Sequence, residues 1–188
     1  LLISCNKKRN NKPENNKLDV TQTIKIDDKI NLKNYNLSPL NKTPEIDSKI
    51  IVLDFWATWC GPCIASFPHL KELQKKYSTD IQIIAVSIEK DEVIKKFLSK
   101  KNYNFSFVQD KEKELNQKFD ISDIPLSAII SNDKTLLWVG SSSNNEFEKI
   151  LLSDIKTNNI DKDLVDIKKV PPSISKYYNQ NKSKIEYR

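Results

Sequence analysis

The chain has 188 residues, 38% hydrophobic residues and a formal net charge of +6, which suits one domain with a sizeable core and terminal appendages. Three cysteines are too few for a disulfide-stapled scaffold. Only Arg9 and Arg188 are arginines, and the lysines are scattered rather than interleaved with aromatic residues, so we expect no nucleic-acid partner. No apolar stretch approaches the ~18 residues of a membrane-spanning helix.

The first residues predict a lipid anchor. Residues 1–4 read Leu-Leu-Ile-Ser and precede Cys5, which resembles the end of a bacterial lipoprotein signal whose cysteine is lipidated after cleavage. Residues 6–17 are almost wholly polar or charged, as expected of a flexible tether from a membrane surface. We expect Cys5 to carry the lipid and to hold the protein at the bacterial cell envelope. A free cysteine in a disordered tail is the alternative.

The first half of the chain predicts a lead-in followed by a strand and a helix. Partial alternation of apolar residues over 18–26 indicates an edge strand or hairpin, and residues 32–48, with two prolines, indicate an extended segment. The apolar run Ile50–Phe55 predicts a buried central strand. A helix is expected from Cys60 to Tyr77, kinked at Pro68.

Strands and helices alternate through the rest of the chain. Apolar runs and periodic apolar positions predict strands at 81–88, 105–108, 127–130 and 135–139, and helices at 91–101 and 111–119. Ser143 and Glu146 are spaced as a capping box that would open a last helix. This order of elements is that of a three-layer α/β domain.

Cys60 and Cys63 lie two residues apart between the predicted strand and its helix. The unpaired N–H groups and the dipole of a helix N-terminus favour an anion, and a thiol pKa near 8.5 can fall to about 7 or lower in such a motif. Cys60 is therefore the predicted nucleophile, and Cys63, one turn further on, would resolve a mixed disulfide. A zinc site would need four ligands, and only Cys5 and His69 are available besides. We expect a redox pair and no metal.

The ten residues from Asp54 to Cys63 read Asp-Phe-Trp-Ala-Thr-Trp-Cys-Gly-Pro-Cys and resemble the active-site segment of the thioredoxin superfamily. The resemblance implies a three-layer α/β fold with a central mixed β-sheet and helices on both faces. The distance from Cys63 to Pro125 leaves room for a strand–helix insert from residues 91–108. With an N-terminal strand extension and a lipid-type N-terminus, the chain resembles the membrane-anchored TlpA/ResA-like branch. On that basis we assign residues 1–30 to a lipoprotein N-terminus, tether and possible edge strand, 31–157 to the thioredoxin-like domain and 158–188 to a C-terminal tail.

The resemblance also assigns a role to Asp54. This residue stands where the family has a buried carboxylate beneath the second cysteine, and burial should raise its pKa. Asp54 would then accept the Cys63 proton when Cys63 attacks the mixed disulfide. The alternative is that Asp54 merely caps the end of a strand.

A second stretch resembles the substrate-binding loop of the family. Ile124 and Pro125 match its cis-proline loop, which faces the cysteines and offers the backbone of the preceding residue to a peptide. With this loop we assign Trp59, Gly61 and Pro62 to the substrate-binding surface.

We also make predictions for the roles of five further residues. Ser66 departs from the membrane-anchored branch, which often has a glutamate at that place. His69 is expected to be a lone surface histidine, and Trp56 and Trp59 to pack around the site. Gly140 matches a family glycine that keeps the edge of the site clear, and a turn glycine is the alternative.

Together these features predict a thiol:disulfide oxidoreductase that reduces disulfides of envelope proteins. Its redox group would be the Cys60–Cys63 disulfide, with no other cofactor, and the Gly-Pro pair between the cysteines resembles that of reducing thioredoxins. The resemblance implies a membrane thiol electron donor and a lipid-anchored, periplasm-facing protein, with apocytochrome c maturation as one possible route.

Two other functions compete with this one. A peroxiredoxin-like thiol peroxidase would share the insert and a threonine at Thr58, but it would need a proline where this chain has Asp54 and an internal arginine that the chain lacks. A non-catalytic surface lipoprotein would use the fold only as a binding module. A copper-delivery relative would need a histidine after His69, and the chain has none.

Overall fold

Residues 24–47 and 49–165 are described by a computed structural model, with side chains in the last helix described up to 158. A single turn of 3-10 helix (Leu32–Asn34) precedes the main elements. These are β1 (Leu37–Pro39), β2 (Ile50–Phe55), α1 (Gly61–Lys76), β3 (Ile81–Ser87), α2 (Asp91–Leu98), β4 (Ser106–Asp110), α3 (Glu114–Lys118), β5 (Leu126–Ile130), β6 (Leu136–Gly140) and α4 (Asn145–Val165). The predicted lipid anchor at Cys5 lies outside the described residues.

The strands form one mixed sheet of six strands in the order β1-β4-β3-β2-β5-β6. β2, β3 and β4 run parallel, whereas β5 pairs antiparallel with β2, β6 with β5, and β1 with β4. Every residue of β2 and β3 is buried, which explains their nearly continuous apolar sequences. The mixed sheet and the strand–helix insert, formed by α2 and β4, are confirmed.

Alternate residues of β2 enter two separate cores, one on each face of the sheet. Ile50 and Val52 pack with apolar side chains of α1, α2 and α4. Ile51 and Leu53 pack on the other face with α3 and with the lead-in around Leu32. Helices therefore cover both faces, as the resemblance implied.

Helix α1 is tied to the sheet by a buried glutamine. β4 begins to pair with β3 only at Ile84, so the preceding backbone of β3 needs other partners. Gln74 supplies them, since its Oε1 accepts the Ile83 N–H at 2.7 Å and its Nε2 donates to the Ile81 oxygen at 3.1 Å. This exchange mimics a neighbouring strand and holds the helix that carries Cys63 against the sheet.

Most of the edge strand expected over 18–26 lies outside the described residues, and positions 24–26 are not in a strand. Within the described part of the chain, β1 and an isolated bridge between Lys29 and Thr135 precede β2. Two further local predictions are corrected. The first turn of α4 is capped by Asn144, whose Oδ1 accepts the Glu146 N–H at 2.9 Å, and not by Ser143. α4 continues through position 157 to Val165. Among the described residues, no helix has the combination of length and apolarity needed to cross a membrane.

Candidate active site

The cysteine pair lies in the turn that joins β2 to α1. Trp56 extends the pairing of β2 with β3 by donating its N–H to the Val86 oxygen at 3.0 Å, and the Cys60 N–H then closes a turn onto the Ala57 oxygen at 3.0 Å. Cys60 and Cys63 form a disulfide with an S–S distance of 1.99 Å and Cα atoms 5.3 Å apart. The pairing predicted for these two residues is present.

Cys60 is the N-cap residue of α1. Its Sγ accepts the Cys63 N–H at 3.3 Å, and Pro62, in the first turn, has no N–H that would compete. A sulfur in this position faces the unpaired N–H groups of the helix, which favour a thiolate once the disulfide is reduced.

The two sulfurs differ in how far solvent reaches them. Cys60 retains 4% of its surface, whereas Cys63 is fully buried and its Sγ lies 4.0 Å from the Phe55 oxygen. An incoming disulfide can therefore meet Cys60 but not Cys63. The arrangement matches the predicted division between an attacking and a resolving cysteine.

Asp54 is fully buried on the sheet face that carries the disulfide. It alternates in phase with Ile50 and Val52, which share a core with Cys63. Ser127, its cross-strand partner on β5, donates its hydroxyl to Asp54 Oδ1 at 2.7 Å. Burial raises the Asp54 pKa from 3.8 to about 7, against smaller lowering effects from Ser127 and Ser142.

A second hydroxyl faces the same carboxyl. Ser142 lowers the Asp54 pKa, yet neither its Oγ nor Asp54 Oδ2 makes a hydrogen bond within the described residues. These two buried atoms are therefore near each other but do not form a well-aligned hydrogen bond. A carboxyl with one bonded and one unbonded oxygen can take up a proton without first losing a strong partner.

Gly140 lies in the same row across the sheet as Asp54 and Ser127. A Cβ at this position would come within 2.5 Å of the Trp138 ring, so the glycine makes room for an indole. Its φ is not positive, so no turn requires it. Gly140 therefore has a packing role beside Trp138, and its predicted role in keeping the edge of the site clear for a partner stays a prediction.

The Ile124–Pro125 bond is cis, as predicted. Ile124 borders an apolar cleft of about 290 Å³, which Trp59 and Ile88 also line. Pro125 borders a larger groove of about 890 Å³ on the other side, together with Pro62. The loop and the redox turn therefore each contribute residues to both clefts.

The surface expected to contact substrate is exposed around the disulfide. Trp59 is 74% exposed, and apart from its chain neighbours and the backbone of its own helix, no atom of the described residues lies within 4 Å of where a Gly61 Cβ would be. The Trp59 indole projects into solvent and lines the apolar cleft beside the redox turn, which is the exposure that a substrate-contacting residue needs. Trp56 is buried as expected, in contact with the rings of Phe67 and Phe107.

His69 has a partner and is not an isolated surface residue. Its Nε2 lies 3.0 Å from Glu148 Oε1 on α4, and both residues line the larger groove. Ser66 donates its hydroxyl to the Cys63 main-chain oxygen at 2.8 Å. Ser66, His69 and Glu148 therefore give the larger groove a polar side next to Pro62.

Three residues near the site were missed from the sequence. Ser127 and Ser142 face Asp54, and Glu89 binds the redox turn at Thr58. One signal was present, because Ser127 is a lone hydroxyl within an otherwise apolar strand. A buried polar residue in such a strand needs a partner.

Comparison with known proteins agrees with this geometry. Residues 47–136 match the family described as Thioredoxin-like. The thiol-disulfide oxidoreductase ResA of Oceanobacillus iheyensis is 32% identical over 88 residues, 46% of either chain. Thioredoxin-like protein YneN of Bacillus subtilis is 31% identical over 109 residues, 55% of this chain and 64% of YneN.

A solved structure shares the fold. The crystal structure of a Chlorobium tepidum protein assigned as thiol:disulfide interchange protein DsbE superposes with a TM-score of 0.59 at 23% identity, covering 71% of this chain and 99% of that one. The chain spans about half the length of the curated relatives it matches. The chain thus has a thioredoxin-like fold, and residues 47–136 are similar to the Thioredoxin-like family.

Proposed function

We propose that the protein is a thiol:disulfide oxidoreductase that reduces disulfides in other proteins. The observation that carries the proposal is the Cys60–Cys63 disulfide at the N-terminus of α1, with a buried carboxyl of raised pKa on the same sheet face. The names of the curated relatives support it.

The reaction begins with the reduced pair. The Cys60 thiolate attacks one sulfur of a substrate disulfide, which forms a mixed disulfide with Cys60 and releases the other substrate sulfur as a thiolate that takes a proton from water. Cys63 then loses its proton and attacks Cys60 Sγ. The Cys60–Cys63 disulfide forms, the second substrate thiolate leaves, and two electrons have passed from the protein to the substrate.

Asp54 serves the second step. Cys63 is fully buried, so bulk water cannot take its proton directly. A carboxyl with a pKa of about 7 on the same face is ionised often enough near neutrality to accept a proton and is basic enough to hold it. Ser127 orients this carboxyl through its hydrogen bond to Oδ1.

The substrate segment would lie across Ile124 and Pro125, between the two clefts. Trp59 and the apolar cleft would contact it on one side of Cys60, and Pro62 with the larger groove on the other. Gly61 leaves the approach to the disulfide open.

The cellular setting is also part of the proposal. The sequence before Cys5 supports a lipid anchor at the bacterial envelope, where disulfide-containing proteins occur. After each turnover a thiol donor at the membrane must return two electrons to the Cys60–Cys63 disulfide. Metabolic labelling with a fatty-acid probe tests the anchor, since Cys5→Ala should abolish the label.

Reduction of insulin disulfides by the pre-reduced protein tests the activity. Wild type should reduce insulin with thiol regeneration, and Cys60→Ser should be inactive. Cys63→Ser should stop at a mixed disulfide that is visible by mass. An inert wild type would refute the proposal, as would equal activity of Cys60→Ser.

The same samples should be offered hydrogen peroxide. A peroxidase would direct the Thr58 hydroxyl at its substrate, but here this hydroxyl donates to Glu89. The only arginines in the sequence are Arg9 and Arg188. We therefore expect peroxide turnover to be far slower than insulin reduction.

A further inference from the structure

In the turn that leads to Cys60, one backbone N–H group has no hydrogen-bond acceptor within the turn itself. The Cys60 N–H bonds to the Ala57 oxygen, which makes Thr58 and Trp59 the two central residues of a four-residue turn. The N–H of the first central residue points away from such a turn. Thr58 therefore needs an acceptor from elsewhere in the protein.

Glu89 supplies this acceptor with both carboxylate oxygens. The Thr58 N–H donates to Oε2 at 2.6 Å, and the Thr58 hydroxyl donates to Oε1 at 2.8 Å. Both distances are short, as expected when the acceptor is charged. The two bonds fix the position and the rotation of a residue that precedes Cys60 by two places.

Glu89 is itself anchored. It follows β3, and because β2 and β3 are parallel, their carboxyl ends meet at one edge of the sheet. The Glu89 N–H donates to Ser87 Oγ at 3.2 Å, and Gln109 Nε2 of β4 donates to the main-chain oxygen of Glu89 at 2.9 Å. Hydrogen bonds therefore link β4 to Glu89, and Glu89 to the redox turn.

We propose that Glu89 is a positioning residue that, through its two hydrogen bonds to Thr58, holds Cys60 at the N-terminus of α1 for attack on a disulfide. The inference rests on the proposed function and adds a residue to it. Glu89 touches neither sulfur, so its effect is on where the thiolate is held.

Glu89→Ala and Glu89→Gln separate the hydrogen bonds from the charge. Alanine removes both. Glutamine removes the charge but keeps two bonds, since its Oε1 can accept the Thr58 N–H while its Nε2 donates to Thr58 Oγ1. Thr58→Val removes only the hydroxyl bond. Glu92→Ala is the matched control, because it removes an exposed carboxylate three residues further on.

The readout is the rate at which the reduced protein reacts with the small aromatic disulfide 5,5′-dithiobis(2-nitrobenzoic acid) and with insulin, measured from pH 5 to 9. We expect Glu89→Ala to slow both reactions by roughly ten- to a hundredfold at every pH, because the reacting thiolate is misplaced. Loss of the carboxylate charge alone would instead favour the thiolate and move the half-maximal rate to lower pH. Glu89→Gln should recover most of the rate, and Thr58→Val should fall between.

Three results would overturn the inference. The first is a Glu89→Ala variant that matches Glu92→Ala in rate at every pH. The second is a Glu89→Gln variant as slow as Glu89→Ala, which would show that charge and not hydrogen bonding matters. If Glu89→Ala does not fold, Thr58→Val decides, and a wild-type rate in that variant refutes the role. An inert wild type refutes the proposed function as well, whereas an active wild type with unaffected variants refutes Glu89 alone.

Discussion

Replacing Asp54 by asparagine should stabilise the protein and slow its chemistry. The carboxyl is fully buried, and its pKa rises from 3.8 to about 7 because burial disfavours the charge. Asparagine has nearly the same shape, can still accept the Ser127 hydroxyl and carries no charge. The substitution therefore removes the free-energy cost of ionising a buried carboxyl and keeps the packing of the side chain.

The size and sign of the effect follow from linkage. A carboxyl whose pKa is higher in the folded than in the unfolded state binds more protons when folded, so stability falls as pH rises from 3.8 to about 7 and is then level. A difference of about 3 pKa units corresponds to about 4 kcal/mol. Above pH 8 the asparagine variant should be more stable by up to this amount, and below pH 4 the gain should vanish.

Urea unfolding of the oxidised protein, followed by tryptophan fluorescence between pH 4 and 9, measures this directly. Asp133→Asn is a control of opposite sign, because hydrogen bonds from Lys29, Ser131 and Thr135 lower the Asp133 pKa, so its removal should destabilise at neutral pH. Pre-reduced Asp54→Asn should accumulate the mixed disulfide with insulin, since Cys63 loses its proton acceptor. A stability gain that does not depend on pH would refute the reasoning about Asp54.

Three other outcomes are expected. Gly140→Ala should destabilise by about 1–3 kcal/mol in urea unfolding, because the new Cβ would lie within 2.5 Å of Trp138; an unchanged midpoint would mean that the indole shifts freely. Gln74→Leu should cost about 2 kcal/mol or more, since two buried backbone groups of β3 lose their partners, whereas Gln117→Leu on the surface should not. His69→Ala should change thermal stability by less than about 1 kcal/mol, because its pair with Glu148 is half exposed; a larger loss would show that the pair holds α1 to α4.

The redox pair and its surroundings along the chain were predictable because they depend on local sequence. A run that is apolar except for Asp54 predicts a buried strand, Pro62 suits the first turn of a helix, and a cysteine just before that turn becomes its cap. The end of α4 and the capping residue Asn144 were not predicted, because helix ends depend on weak and competing signals. The degree of exposure of Trp59 could not be read from the sequence, because an indole is usually buried and only the shape of the surrounding surface leaves this one in solvent.

The sequence by itself determined the strand, the turn, the helix and the two cysteines, since each depends on neighbours within a few residues. Only the tertiary structure decided what surrounds them. Ser127 meets Asp54 across 73 residues of chain because the pairing register of β2 and β5 places them opposite each other. Glu89 reaches Thr58 because two parallel strands end at the same edge of the sheet. Such contacts depend on how the whole sheet packs, which no short stretch of sequence encodes.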